Sequence, residues 1–232
     1  MIKAFKNLIK DSIICGSLMA IARDLKSFYF DIKSSIFHIK NYYIISWRKI
    51  TGERLHFGCG TDYKKGFINL DMNKLADFYF DARNKLPFRA ETIKYIYSSH
   101  FVEHLKNDEL MRHFKKSFRI LQLSGIYRIC VPDFVGSIKA YIGKDSNWLE
   151  TVKKEILFNF DYISDDLLSY GDYLDRVLHE YDSHKVFLDY ERIKNMLIYS
   201  GFEETNIHLV TYDPSIDLTK RKNFSIYIEA KK

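Results

Sequence analysis

From Glu53 onward, short runs of β-branched and aromatic residues alternate with stretches in which apolar residues recur every three or four positions. The short runs "RLHFG", "FINLD", "FYFDA", "IKYIYSS" and "IYRICVPD" predict five strands, since their length and their Ile, Phe and Tyr content suit a pleated, covered surface. Between the fourth and fifth, "NDELMRHFKKSFRILQLSG" sets Leu110, Phe114, Phe118 and Leu121 on one stripe. Asn107 stands as N-cap and Gly125 just past the end, which predicts a helix. "DYERIKNMLIYSGF" repeats that pattern with Ile193, Leu197 and a closing Gly201, and "TNIHLVTY" and "NFSIYIEA" read as a final antiparallel pair of strands. Such alternation predicts an α/β fold: a doubly wound, mostly parallel sheet covered by helices on both faces.

Residues 1–50 keep a different rhythm. Leu8, Ile9 and Ile13, then Leu18, Ile21, Leu25 and Phe28, fall at helical spacing, so a helical N-terminal extension is expected ahead of a main domain over 51–232. Residues 146–182, rich in Tyr and Asp, break the alternation and read as an insertion between core elements, placed where insertions in open sheets shape pockets.

Charge sharpens this division. The chain of 232 residues carries a net charge of +6, and all of the basic excess lies in the first fifth. The extension is therefore a candidate for peripheral contact with an anionic membrane face, or for a homodimer contact, against the plainer reading of a solvated helical face. Its apolar run "IICGSLMAIA" is too short for a bilayer, which needs roughly 20 residues. No export signal is read. Cys15, Cys59 and Cys130 are too widely spaced for a disulfide framework or a metal knuckle, so a cytoplasmic setting is expected, with the inner membrane face as its variant.

The candidate chemistry starts at "LHFGCGTDYKKGFINLD". Glycines 58 and 60 permit positive φ and close approach of a ligand, Asp71 closes the second strand, and Asp81 closes the third. Three successive strand ends thus offer a glycine turn and two acids, a geometry for a nucleoside. The spacing from Gly60 to Asp71 is too short for the dinucleotide fingerprint, and no P-loop is present. The link from the glycine turn to the second strand is also shorter than a parallel crossover usually allows.

"LHFGCGTDYKKGFINLDM", "KLPF", "YIYSSHFVEHL", "LMRHFKKSFRILQLSGIYRICVPD" and "SHKVFLDYERIKNMLIYSGF" resemble, in that order, the class I SAM-dependent methyltransferases over residues 53–212. The group most similar is that of the predicted methyltransferases of bacterial surface-polysaccharide clusters. The resemblance implies a seven-stranded Rossmann-like sheet, a short link after the glycine turn, and S-adenosyl-L-methionine as cofactor. It implies a cofactor site of Gly58, Cys59, Gly60, Asp71, Met72, Asp81, Ala82 and Ser99. "LQLSG" departs from the family's usual L-x-P-G-G before strand five, a structural turn.

Methyl transfer to a hydroxyl needs a group to take the proton. His184 and Asp133 are the expected bases, with His100 lining the acceptor side. His104, on "EHL", is read as a packing residue, and His38, His56, His113, His179 and His208 as structural or exposed. Cys59 is given no nucleophilic role and Cys130 reads as core. The histidines lack a ligand pattern, so no metal is expected. The Tyr- and Asp-rich insertion suits a polyhydroxylated acceptor, so a sugar, nucleotide sugar or glycan is the expected substrate and nucleic acid is disfavoured. The alternatives are a methyltransferase-fold binding or scaffolding subunit without turnover, and transfer to nitrogen or a small metabolite.

Overall fold

A computed structural model describes residues 53–84, 86–155, 168–180 and 182–232, together with scattered helical positions between 21 and 39. The seven strands are β1 (Glu53–Phe57), β2 (Ile68–Asp71), β3 (Phe78–Tyr79), β4 (Ile93–Ser99), β5 (Leu121–Pro132), β6 (Ile207–Val210) and β7 (Ser225–Lys231). They form one sheet in the order β3-β2-β1-β4-β5-β7-β6, in which only β7 runs against its neighbours. The predicted runs and the final antiparallel pair are thus all strands. The described α-helices after β4 are α1 (Asn107–Ile120), α2 (Phe134–Gly143), α3 (Ser146–Glu155), α4 (Tyr170–His179) and α5 (Tyr190–Tyr199), with short 3-10 turns at Val102–His104, Glu204–Asn206 and Thr219–Phe224.

The sheet is covered on both faces, which explains the continuous burial of its central strands. Leu55, His56 and Phe57 of β1 are all buried, and so are Tyr127 through Val131 of β5. α1 packs through Leu110, His113, Phe114, Ser117 and Ile120. Its N-cap is Lys106, one residue ahead of the expected Asn107, and Glu109 closes the box by accepting from the Lys106 N–H at 2.8 Å.

Two local features differ from the sequence expectation. The helix stops at Ile120, and "LQLSG" belongs to β5: Leu121 pairs with Ile93 and Ile126 with Tyr95, so the residues between them bulge out of the ladder. Ser124 sits at φ +64, and a Cβ on Gly125 would come within 2.9 Å of the Gln122 carbonyl, so the bulge needs its glycine.

The second concerns the short crossover. Residues 58–67 join β1 to β2 as parallel neighbours without a helix. Asn69 makes this work. Its Oδ1 accepts from the Lys64 N–H at 2.9 Å, and its Nδ2 donates to the carbonyls of Lys64 and Phe67 at 3.0 and 3.2 Å. A side chain thereby supplies the hydrogen bonds that a crossover helix would make within itself.

The segment read as an insertion contains α3 and α4. Val152 and Tyr173 bury against Phe224 in a small satellite core, with Trp148, Leu149 and Leu168 around it. Residues 156–167, and with them much of the Tyr- and Asp-rich stretch, lie outside the described residues, as does most of the expected N-terminal extension. In that extension Ile21, Leu25, Phe28, Tyr29, Ile32, Ile36 and Ile39 are helical and present their side chains to solvent. Among the described residues no helix is long and apolar enough to cross a membrane.

Candidate active site at the carboxyl ends of the strands

A cleft of about 440 Å³ opens at the carboxyl ends of β1 to β4. Gly58 after β1, Asp71 and Met72 at the end of β2, and Asp81 and Ala82 after β3 line it, facing Phe101, His104 and Lys106 from beyond β4 and Lys185 from beyond α4. In a parallel sheet this is where ligands collect, because the loops that leave the strand ends diverge there.

Each expected cofactor residue can now be placed. Gly58 adopts φ +63, and a Cβ there would fall 2.4 Å from the Phe101 ring, so only glycine leaves the ring and the cleft floor in place. Gly60, at φ +53, is not on the lining; its N–H donates to Asp71 Oδ2 at 2.9 Å. Asp71 Oδ1 accepts from the Asn73 N–H at 3.0 Å, so both oxygens are anchored by backbone and the carboxylate is presented to the cleft in one orientation. Cys59 is buried beneath the turn, and burial with the nearby Asp71 carboxylate pushes its thiol up to about 12, which keeps it a protonated packing group. Asp81 reaches the lining, but Arg83 grips it with two guanidinium nitrogens, Nε at 2.9 Å and Nη2 at 2.6 Å. Its carboxylate is therefore half of an ion pair rather than an unengaged acceptor.

Ser99 and His100 lie off the cleft. The Arg221 guanidinium donates to the Ser99 carbonyl at 2.7 Å and to its hydroxyl at 3.2 Å. His100, at φ +50, is 2.8 Å from the Ser225 hydroxyl through Nε2, and its burial holds its pKa well below the usual histidine value. Asp133 caps α2, accepting from the Gly136 N–H at 2.8 Å, and borders a separate depression with Leu188 and Tyr190. A carboxylate committed to a helix N-terminus is a poor proton acceptor for a ligand in another cleft.

His184 is not on the lining either; its side chain is buried behind His104, in company that the sequence does not announce. Lys185 and Val186 donate their backbone N–H groups to the Glu103 carbonyl at 2.8 and 3.3 Å, which draws the segment after α4 onto the turn Val102–His104. His104 and His184 then stand with ring centroids 5.1 Å apart, and Glu180 Oε2 is 3.0 Å from His184 Nε2 and 3.7 Å from His104 Nε2. Glu103 is wholly buried beside them. Burial pushes its carboxyl up to about 7, against the pull of the nearby His184 charge. The hydrogen bond from His184 holds Glu180 down at about 2; in turn Glu180 raises His184 against the effect of its own burial. Burial lowers His104. Sequence reasoning treated His104 as packing and did not single out Glu103, Glu180 or Lys185. The one available signal was the adjacency of Glu103 and His104 directly after a strand end.

Seven strands in this order, with one reversed strand and a cleft at the carboxyl ends of the first four, constitute the α/β methyltransferase fold. No family model matches the chain, and no curated protein matches it. Among solved structures, a SAM-dependent methyltransferase from Archaeoglobus fulgidus is similar at 16% identity over 88% of this chain and 94% of that one, with a TM-score of 0.47. One from Mesorhizobium loti is similar at 15% identity over 79% and 93%, with a TM-score of 0.43. Phosphoethanolamine N-methyltransferase 2 of Haemonchus contortus, solved with S-adenosyl-L-methionine, is similar at 13% identity over 83% of this chain and 52% of that one, with a TM-score of 0.42.

Proposed function

We propose that this protein is a methyltransferase that uses S-adenosyl-L-methionine and methylates a hydroxyl group. The observation that carries the reading is the meeting of three successive strand ends in one cleft: Gly58 where a side chain would displace Phe101, Asp71 with its carboxylate fixed by the Gly60 and Asn73 N–H groups, and Asp81 with Ala82 beyond. These residues fit a nucleoside with a charged tail. Each Asp71 oxygen keeps a lone pair for a ribose hydroxyl, and the Gly58 backbone leaves room for the chain beneath.

The cofactor supplies a methyl carbon on a positively charged sulfur. The chain's own work would be to hold an acceptor hydroxyl in place beside the bound cofactor and to receive its proton. His104 stands on the cleft wall and is the group we assign to that proton, with His184 and Glu180 behind it to carry the charge away. This reading replaces the expected bases, Asp133 and His184, with His104, and gives His184 a supporting place behind it. A sugar-like acceptor, free or in a glycan, is the substrate class we favour, supported by the Tyr- and Asp-rich sequence between 146 and 182.

Calorimetric titration of S-adenosyl-L-methionine and of its demethylated product tests the cofactor. Both should bind, and Asp71→Ala should weaken binding by about 10-fold or more, the loss of a hydrogen-bonded charged group. Wild-type protein that binds neither compound sinks the proposal.

A further inference from the structure

Behind His104 on the cleft lining, three further side chains converge in a way that proton transfer alone does not require. We propose that Glu103, His104, Glu180 and His184 form a binding site for one divalent transition-metal ion of the zinc type.

The tautomers carry the first step. His104 Nδ1 lies 3.1 Å from the Ser183 carbonyl and His184 Nδ1 lies 3.0 Å from the Leu178 carbonyl. A carbonyl only accepts, so both Nδ1 atoms are donors, and the neutral ring of each histidine then presents a lone pair at Nε2. Backbone carbonyls that fix a histidine in this way are the usual support behind a metal ligand. Both Nε2 atoms face Glu180 Oε2, at 3.7 and 3.0 Å.

Glu103 supplies the second, independent step. It is wholly buried, neither of its carboxylate oxygens has a hydrogen-bond partner, and the nearest basic atom is His100 Nδ1 at 3.8 Å. One ligand atom from each of Glu103, His104 and His184 lies within 4.8 Å of the others. Glu103, His104 and His184 therefore bring three ligand atoms to one place, with Glu180 beside both histidines; in the metal-free chain His184 Nε2 donates to Glu180 Oε2, and an ion would take the place of that proton. A wholly buried carboxyl such as Glu103 with no hydrogen-bond partner is unfavourable unless positive charge lies beside it.

The spacing and the atom types identify the ion. Ligands about 2.0–2.1 Å from a tetrahedral zinc stand roughly 3.3 Å from one another. The His–Glu separations of 3.0 and 3.7 Å bracket that value, and Glu103 needs a small side-chain rotation to join them. Two imidazoles with two carboxylates suit zinc, cobalt or manganese, whereas magnesium and calcium prefer oxygen alone. Glu180 is partly exposed, so it is the ligand that could yield its place to an acceptor oxygen from the cleft. That catalytic use rests on the methyltransferase reading, and in it His104 Nε2 would be a ligand, so the proton would fall to the displaced Glu180 instead of His104; the binding of the ion rests on neither.

The test uses the full chain, stripped with a chelator and titrated with Zn2+ by calorimetry and with Co2+ by visible absorption. One equivalent should bind, the cobalt form should show the intense bands of a tetrahedral site, and Zn2+ should raise the melting temperature. Glu103→Gln and His184→Ala should weaken binding by about 100-fold, and His208→Ala, on an exposed strand face, should leave it unchanged. If either site variant fails to fold by circular dichroism, the wild-type titration decides. Wild-type protein that takes up no Zn2+ and gives no cobalt bands overturns the proposal, since protons then fill the cluster. Undiminished binding in a folded His104→Ala/His184→Ala variant overturns it as well. Because cofactor titration is a separate measurement, a protein that binds the cofactor but no metal refutes this site alone, and the converse refutes only the methyltransferase reading.

Discussion

Gly58 and Gly60 share a backbone conformation but not a neighbourhood, and that difference can be measured. Both sit at positive φ, +63 and +53, so an alanine at either pays the left-handed penalty of about 1 kcal/mol. At Gly60 a Cβ would meet nothing within 4 Å. At Gly58 it would stand 2.4, 2.6 and 2.7 Å from Phe101 Cδ2, Cγ and Cβ. The third contact matters most, because Cβ cannot swing away by rotation of the ring. The ring itself is packed against Phe57 at 6.2 Å and edge-on to His113 at 5.5 Å. Overpacking of this kind adds about 1–3 kcal/mol. Gly60→Ala should therefore cost about 1 kcal/mol and Gly58→Ala about 2–4 kcal/mol in urea unfolding followed by circular dichroism. The melting temperature should fall by roughly 2–4 °C for each kcal/mol. Adding Phe101→Ala to Gly58→Ala should recover only part of the loss, since the Phe101 Cβ remains. Equal costs for the two alanines, or a larger one at Gly60, would refute the claim that Phe101 closes over the turn.

Two further predictions concern buried polar groups. His113 is fully buried, and desolvation lowers its pKa to about 3, from 6.5 in the unfolded chain. Its neutral form is thus held on folding, so its contribution is intact above pH 6.5 and is lost as pH falls toward 3. Between pH 7 and 5 the loss is about 2 kcal/mol. His113→Leu should remove that much of the acid sensitivity, and a variant whose stability falls with pH as steeply as the wild type would contradict the assignment. Arg128, buried in β5, donates through Nε to Asp217 Oδ1 at 3.0 Å and through Nη1 to Glu229 at 2.8 Å. Asp217→Ala leaves the guanidinium buried beside a single carboxylate and should cost about 3–5 kcal/mol in urea unfolding; a cost below about 1 kcal/mol would show that the pair is not desolvated.

The strands were legible because burial on both faces leaves a signature that neighbouring residues carry themselves. "IKYIYSS" and "IYRICVPD" are mostly Ile, Tyr and Val, interrupted only by Lys94 and Arg128 before the Ser and Asp residues that close them. The end of α1 was misjudged because its apolar spacing continues into Leu121. The strand takes over there for a nonlocal reason, the pairing of Leu121 with Ile93. Asp133 stands directly before α2, where an Asp is a common N-cap, and its carboxylate bonds the Gly136 N–H beside a depression separate from the cleft. Asp71 was legible as a partner of the glycine turn because that contact is local: its carboxylate accepts from the Gly60 N–H, eleven residues away.

The histidine and carboxylate cluster was illegible for the opposite reason. Glu103 and His104 come to Glu180 and His184 across a long stretch of chain, and no periodicity links the two segments. What joins them is backbone: the Lys185 and Val186 N–H groups both reach the Glu103 carbonyl, and the Ser183 carbonyl meets His104 Nδ1. The same contacts that dock the segment after α4 therefore also set the tautomer of one histidine and the distance of the other. They place Lys185 on the cleft lining as well. A change in how that segment docks must then alter the cluster and the cleft mouth together. Docking, rather than any single side chain, is the element that couples the groups behind the wall to whatever occupies the cleft.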